Sequence, residues 1–333
     1  MLAPHRVPIH GIKLHEVEKI AHQLFPTAKK VILTAAGEPL INHFDEISAL
    51  ASHYQTRIDM FTSCLNMTEE RFRRAREWFD VLHVSMDCPD KEGYERVRVR
   101  SNYEKVVENL QMMKRVMDEE GKPFLYHCQA ALLKSTIHFL PQFVNFAHDL
   151  GFDLLHVQRL FKTHEGLEGE DILTSMPKEE LDAIVAEASQ EAKRLNFSLV
   201  LHEIGYENAW SDPLPRAENP QLMNYKEHGV CWFVGQGLGI NHAGEAFPCC
   251  YPTDIYLGNV LKEPMRKIWN GPAIRKLRRQ FHTKNLNPFC ENCFLVNENP
   301  SEQKNFDFYK RRARMRVFNI KKTISKRLQD VLS

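Results

Sequence analysis

Between residues 13 and 202 the chain alternates two hydrophobic periods. Leu14, Val17, Ile20, Ala21 and Leu24 recur at helical spacing over 13–25, which predicts an amphipathic first helix. Lys30–Ala35 (KVILTA) follows as a short apolar run, closed by Gly37-Glu38-Pro39, the pattern of a buried strand ending in a turn. The couplet then repeats. A helix over 43–54 precedes a strand at Arg57–Ser63, and a helix over 68–79 precedes Val81–Met86. A helix over 103–118 leads to Phe124–Ala131, one over 137–150 to Leu154–Leu160, and one over 178–194, opened by Pro177, to Phe197–His202.

Alternation of this kind specifies βαβ units, with a parallel sheet covered by helices. Right-handed crossovers bring the C-terminal ends of the strands to one face, where such folds keep their chemistry. The expected fold class is therefore α/β. Because the alternation opens on a helix, Lys30–Ala35 is expected to expose an edge that a preceding strand would cover.

The rhythm stops after residue 204. Residues 205–229 hold three prolines among turn residues and read as a linker or lid. Beyond them the periodicity shortens, and five of the eight cysteines fall within 231–293. The expected organisation is a barrel-like domain over 1–204, the 205–229 linker, a small Cys-rich domain over 230–300, and a tail over 301–333.

Composition narrows the class. At 43% hydrophobic and 26% charged, 333 residues make an ordinary globular balance, which excludes a disordered chain. The net charge of +1 gives no field to attract nucleic acid or an anionic membrane. Charge is concentrated in the tail, where 301–333 carry ten basic and three acidic side chains. There Val317, Ile320, Ile324, Leu328 and Val331 share one helical face, the pattern of a packing helix with a basic outer surface. No aromatic interleaving supports base stacking. No run approaches the length of a spanning helix, and the N-terminus lacks a signal-peptide core, so a cytoplasmic protein with reduced thiols is expected.

That context gives the cysteines meaning. Cys64, Cys88 and Cys128 sit near strand ends without a partner at ligand spacing and read as small buried hydrophobes. The later ones differ. Cys290-Glu291-Asn292-Cys293 puts two thiolates on one side of a single bend, as a tetrahedral metal or a cluster edge requires. Gly244 lies between Cys231 and Cys249-Cys250, where a hairpin turn would return Cys249 to Cys231. Cys231, Cys249, Cys290 and Cys293 are then the candidate metal ligands, with Cys250 able to replace Cys249. Zinc and a 4Fe–4S cluster both suit four cysteines on spacing alone.

The segment Cys231–Cys293 resembles the SPASM-type auxiliary cluster domain of radical SAM enzymes. The likeness rests on Cys231, LGINHAGEAFPCC, LGNV at 257–260, KIWNG at 267–271, KLRR at 276–279 and PFCENC. It is to the shortened, single-cluster form, and it favours 4Fe–4S over zinc. In the first domain, TAAGEPL at 34–40 resembles the GGEP turn of the radical SAM partial barrel, with Ala36 in place of the first glycine. VSMDC at 84–88 resembles the segment whose polar residues face the ribose, and TSCLNMTEE at 62–70, Tyr94 and Arg98 also match family positions. The resemblance implies S-adenosylmethionine held by Gly37, Glu38 and Pro39 through its amino group, and by Ser85 and Asp87 at its ribose.

It implies an oxidoreductase that makes a 5′-deoxyadenosyl radical, takes hydrogen from a peptide or small molecule, and draws on an electron donor. The family's Cys-x-x-x-Cys-x-x-Cys loop is not among these residues. In-frame codons upstream of Met1 are expected to encode it, and the 333 residues alone are expected to cleave no S-adenosylmethionine. The alternatives are a non-catalytic binding protein that keeps scaffold and cluster, and a zinc-stabilised structural domain. His83, His127, His156, His202 and Glu203 lie in or near predicted strands; they read first as satisfied core residues and second as substrate contacts. Met112, Met113 and Met117 read as core.

Overall fold

The computed structural model describes residues 11–33, 37–158, 169–201, 204–206, 231–249, 255–291 and 293. They belong to two compact units. The first carries a six-stranded sheet, β1 (Lys30–Leu33), β2 (Arg57–Thr62), β3 (Phe79–Ser85), β4 (Leu125–Ala131), β5 (Leu154–Gln158) and β6 (Ser198–Val200). The strands stand in chain order and every pairing is parallel.

The helices are α1 (Leu14–Leu24), α2 (Phe44–Tyr54), α3 (Glu69–Ala75), α4 (Lys91–Val97), α5 (Tyr103–Glu120), α6 (Leu140–Asp149), α7 (Ile172–Ser175) and α8 (Lys178–Arg194). Consecutive order with right-handed crossovers sends each connecting helix to the same side of the sheet, which is a singly wound, barrel-like arrangement. The side chains agree. Met60, Leu82, Val84, Tyr126, Cys128, Leu155 and Leu199 alternate onto one face and are fully buried in the main core. The reverse face carries Phe61, His83, Ser85, His127, Gln129 and His156, aligned by strand register.

Helix starts follow local capping chemistry. Thr68 accepts from the Arg71 amide at 3.2 Å, Asp90 from Gly93 at 2.8 Å and Asn102 from Lys105 at 2.8 Å. The fold corrects the expected elements at a few points. The 68–79 helix ends as a 3-10 turn, Arg76–Trp78, so β3 begins at Phe79. The helix expected over 137–150 opens with a 3-10 turn, Ile137–Phe139. α4 and α7 have no counterpart in the sequence reading, because each is a short element between strands whose signal is a cap, Asp90 or Asp171.

The second unit holds α9 (Trp232–Gln236), a small antiparallel sheet of β7 (Gly239–Ile240), β8 (Glu245–Phe247) and β9 (Gly258–Asn259), then α10 (Met265–Trp269), α11 (Pro272–His282) and α12 (Pro288–Glu291). Its main apolar cluster is small: Val234, Ile274, Leu277, Phe281 and Cys290, with Cys231, Ile255, Leu257, Leu286 and Phe289 against them, while Ala246, Val260, Met265 and Ile268 are buried elsewhere in the unit. The hairpin expected at Gly244 is present. Gly244 takes φ +74°, and a Cβ there would stand 2.6 Å from Leu261, so both conformation and space require glycine. Most of the 205–229 linker, Cys250, His202, Glu203 and the 301–333 tail lie outside the described residues. No helix among the described residues is long and apolar enough to cross a membrane.

Candidate functional site

The C-terminal ends of β1 to β4 form a rim of polar groups. Glu38 caps the 3-10 turn Pro39–Ile41, accepting from the Leu40 amide at 3.3 Å. The same carboxylate accepts from Thr62 Oγ1 at 2.5 Å, and from the Ser63 amide and Ser63 Oγ at 2.8 Å each. Both oxygens of Glu38 are thus used to tie the turn after β1 to the end of β2, and the turn cannot drift from the sheet. The Cys64 amide in turn donates to Thr62 Oγ1 at 2.9 Å, and the Asn109 amide group donates to the Cys64 and Leu65 carbonyls. These contacts hold Cys64 at φ +60°, a left-handed conformation costly for a residue other than glycine. The Cys64 thiol is buried and its pKa is raised, first by desolvation and then by the Glu38 charge. It is not a nucleophile.

Asp87 ties the next two strands. Its Oδ1 accepts from the Ala131 amide at 2.9 Å, and its Oδ2 lies 2.7 Å from Arg98 Nε. The Arg98 guanidinium stands 6.0 Å from the centre of the Tyr94 ring. Ser85 closes β3, half-buried and in register with Gln129. Cys88, just beyond, fills the space beneath α4, where a Cβ on Gly93 would meet its sulfur at 2.5 Å. Gly37, Glu38, Pro39, Ser85 and Asp87 therefore all belong to the rim at the strand C-termini. The Glu38 carboxylate is taken up by Leu40, Thr62 and Ser63, and the Asp87 carboxylate by Ala131 and Arg98, which leaves the Ser85 hydroxyl and backbone groups of the rim as the chemistry not spent on these contacts. Sequence reasoning did not connect Glu38 with Thr62 and Ser63; the pairing joins residues 24 and 25 positions apart and depends on β1 and β2 being neighbours.

Below the rim, the reverse face of the sheet carries the histidines. His83 stacks on Phe61 with ring centres 4.0 Å apart, and His127 meets His83 edge-on at 5.2 Å. Burial holds the His83 imidazole well below its ordinary pKa, reinforced by His127, His156 and Lys30. Burial also lowers His127 to about 4; His156 and Lys122 act in the same direction, while Asp153 opposes them. Both rings are neutral at physiological pH. At the other end of the strands, Lys30 bridges Asp59 at 2.9 Å and Asp80 at 2.6 Å.

In the second unit, Asn287 shapes the Cys-x-x-Cys bend. Its Oδ1 accepts from the Phe289 and Cys290 amides at 3.0 Å each, and its Nδ2 donates to Cys290 Sγ at 3.2 Å. The Cys293 amide donates to the Cys290 carbonyl at 3.2 Å. The Cys290 thiol is pushed up to about 11, mainly by burial and further by Cys293 and Cys231, against the hydrogen bond from Asn287. Cys293 and Cys231 thus lie near enough to disfavour the Cys290 thiolate. A bound cation removes the penalty, so this donor set suits a metal centre. Cys249 stands behind Gly239, whose Cβ would come 3.2 Å from the Cys249 carbonyl oxygen. Among the described residues no group of three or more ligating side chains is closed into metal-holding geometry.

Comparisons with known proteins bear on both regions. Residues 5–124 match the radical SAM superfamily, and residues 231–294 match SPASM, an iron-sulfur cluster-binding domain. A pre-heme d1 synthase of Dinoroseobacter shibae is 23% identical over 269 residues, 75% of this chain, and the match spans 64% of that relative's length. Among solved structures, native anSMEcpe with bound AdoMet superposes with a TM-score of 0.54 at 14% identity, covering 94% of this chain and 91% of that one. Streptococcus suis SuiB bound to S-adenosylmethionine gives 0.53 at 13% identity over 84% and 64%, and a second SuiB structure holds the precursor peptide SuiA.

Proposed function

This chain belongs to the radical SAM superfamily and carries a SPASM iron-sulfur domain, and from that membership we propose an enzyme that modifies a peptide or small molecule by hydrogen abstraction. The observation that carries the reading is the rim, where Glu38 spends both carboxylate oxygens on fixing the Gly37-Glu38-Pro39 turn against β2. S-adenosylmethionine is a cation with an ammonium group and a ribose. A fixed turn at strand C-termini offers carbonyls to the ammonium, and Ser85 offers a hydroxyl to the ribose. Asp87, held by Ala131 and Arg98, keeps the end of β3, and with it Ser85, in place at the ribose side. Bound together, the sulfonium cofactor and a reduced iron-sulfur centre supply a carbon radical able to break an unactivated C–H bond. The neutral His83 and His127 beside this rim add no cation to repel that ligand.

In the second unit, Cys231, Cys249, Cys290 and Cys293 would hold a 4Fe–4S cluster, with the Asn287 amide donating to the Cys290 sulfur. Such N–H···S contacts favour the more negative state of a cluster and so tune its potential. Its service is electron transfer to or from an external donor, or support of the substrate.

Two measurements on anaerobically reconstituted protein test the reading. Iron and sulfide in cluster ratio with broad visible absorption, lost in Cys290→Ala, support the ligand set; a colourless protein with about one zinc per chain overturns it. Equilibrium dialysis with S-adenosylmethionine tests the turn. Glu38→Ala is expected to weaken binding by about tenfold or more, and unchanged binding overturns the assignment.

A further inference from the structure

The reverse face of the parallel sheet holds a polar patch separate from the Gly37-Glu38-Pro39 turn. Chain-order strands place the crossover helices on the other side, so no helix connecting β1–β6 covers it. His127 and Gln129 sit two residues apart on β4, both pointing to this face, and each is more than nine-tenths buried. Gln129 Nε2 donates to His83 Nδ1 at 3.1 Å, which fixes the amide and leaves His83 protonated on Nε2. Among the described residues Gln129 Oε1 has no partner, and neither does His127 Nε2. His156, on β5, lies in register with Gln129.

Buried polar atoms without partners are destabilising. The opposite face of the same strand, Tyr126, Cys128 and Ala130, keeps one such atom, the Tyr126 hydroxyl, among apolar neighbours, whereas the reverse face sets two of them side by side on β4. Among the described residues no group of three or more ligating side chains forms a metal site. What the patch offers is uncharged. One oxygen can only accept, and one imidazole nitrogen donates or accepts according to tautomer. The nearby charges that act on these rings are Lys30 on His83, and Lys122 and Asp153 on His127. Lys30 is already engaged by Asp59 and Asp80, and Lys122 by Asp153, so neither cation is left to take an anion.

Resting on the reading of the chain as a peptide- or small-molecule-modifying enzyme, we infer that Gln129 Oε1 and His127 Nε2 read an amide of the substrate, one taking its N–H and the other its C=O. Alternate residues of a strand lie about 7 Å apart, a span that one amide or two neighbouring amides of an extended chain can bridge. A carboxylate is refused, because Gln129 Oε1 would face it with a second acceptor and the neutral imidazoles carry no compensating charge. His83, clamped between Phe61 and Gln129, is a positioning residue that orients the amide.

The test needs neither iron nor S-adenosylmethionine. In protein labelled at histidine nitrogens, N-acetyl-dialanine N-methylamide is titrated against acetate as the anionic control, and the His127 ring resonances are followed. The capped dipeptide should shift them saturably and acetate should not. Gln129→Met, close in volume, and His127→Phe should each weaken the response to the dipeptide at least about tenfold while circular dichroism and iron content remain those of the wild type. An equal response to acetate, or undiminished dipeptide binding in the folded Gln129→Met protein, overturns the inference. A wild-type protein that binds the dipeptide but no iron would instead remove the proposed function and leave the patch standing.

Discussion

The two units keep their shape by different means. In the first, six parallel strands lie against helices over an extensive apolar core, from Ala21 in α1 to Ile204 beyond β6. In the second, the strands are only two or three residues long, and the main apolar cluster among the described residues is five buried side chains, one of them Cys290 itself. Apolar burial contributes roughly 25 cal/mol per Å², so a large core offsets the entropy of ordering its own chain and a very small one does not. The lesson is that the same residue type does opposite work. Cys64, Cys88 and Cys128 are packing atoms in a core that would survive without sulfur chemistry. In the second unit the proposed ligand set would have thiols, through a bound cluster, supplement a small core.

The largest effect separates the units directly. Chelating iron from the reconstituted protein, or replacing Cys290 by Ala, should unfold the second unit and leave the melting transition of the first in place. Calorimetry should show one of two transitions vanish. Should Cys290→Ala melt like the wild type, the cysteines are not what holds that unit together.

Next in size is a pH effect confined to the first unit. The folded His127 titrates at about 4 against an ordinary 6.5, so as pH falls the unfolded chain takes the proton first. Stability present above about pH 6.5 is then lost between there and pH 4, by on the order of 3 kcal/mol. Melting curves across that window should show it, and His127→Gln should flatten the slope. An unaltered slope would mean that carboxylates, not the inner face, set the acid limit.

A smaller effect sharpens the view of Cys88 as packing. Gly93→Ala drives a methyl to 2.5 Å from the Cys88 sulfur and should cost about 1–3 kcal/mol in chemical denaturation. Adding Cys88→Ala should recover most of it, since the next atom, the Cys88 Cβ, stands at 3.3 Å. Failure of that rescue would point to backbone strain at α4 instead. Smallest is the cap: Asp90→Ala removes the acceptor for the Gly93 amide and should cost about 1 kcal/mol, again in the first transition alone.

Much of the barrel was readable along the chain, because each strand is apolar over its own length and each helix repeats its own stripe. β2, β4 and α8 lie within two residues of the expected bounds for that reason. The Cys231–Cys293 pattern and the Gly244 hairpin were equally local. α4 escaped, since its cue is one capping aspartate and a glycine whose need is set by Cys88 beneath it.

Sequence by itself determined the periods, the turn residues and the cysteine spacing, since helices, strands and short bends answer to neighbours a few positions away. Tertiary structure alone decided what those residues do. Glu38 is bound by Thr62 and Ser63, Asp87 by Ala131 and Arg98, and His83 by Gln129, because strand order lays distant segments edge to edge. Register decided which histidines share the inner face, and burial there decided that His83 and His127 are neutral. Hydrogen bonding and desolvation act through space, over a few ångströms, and no spacing along the chain encodes them.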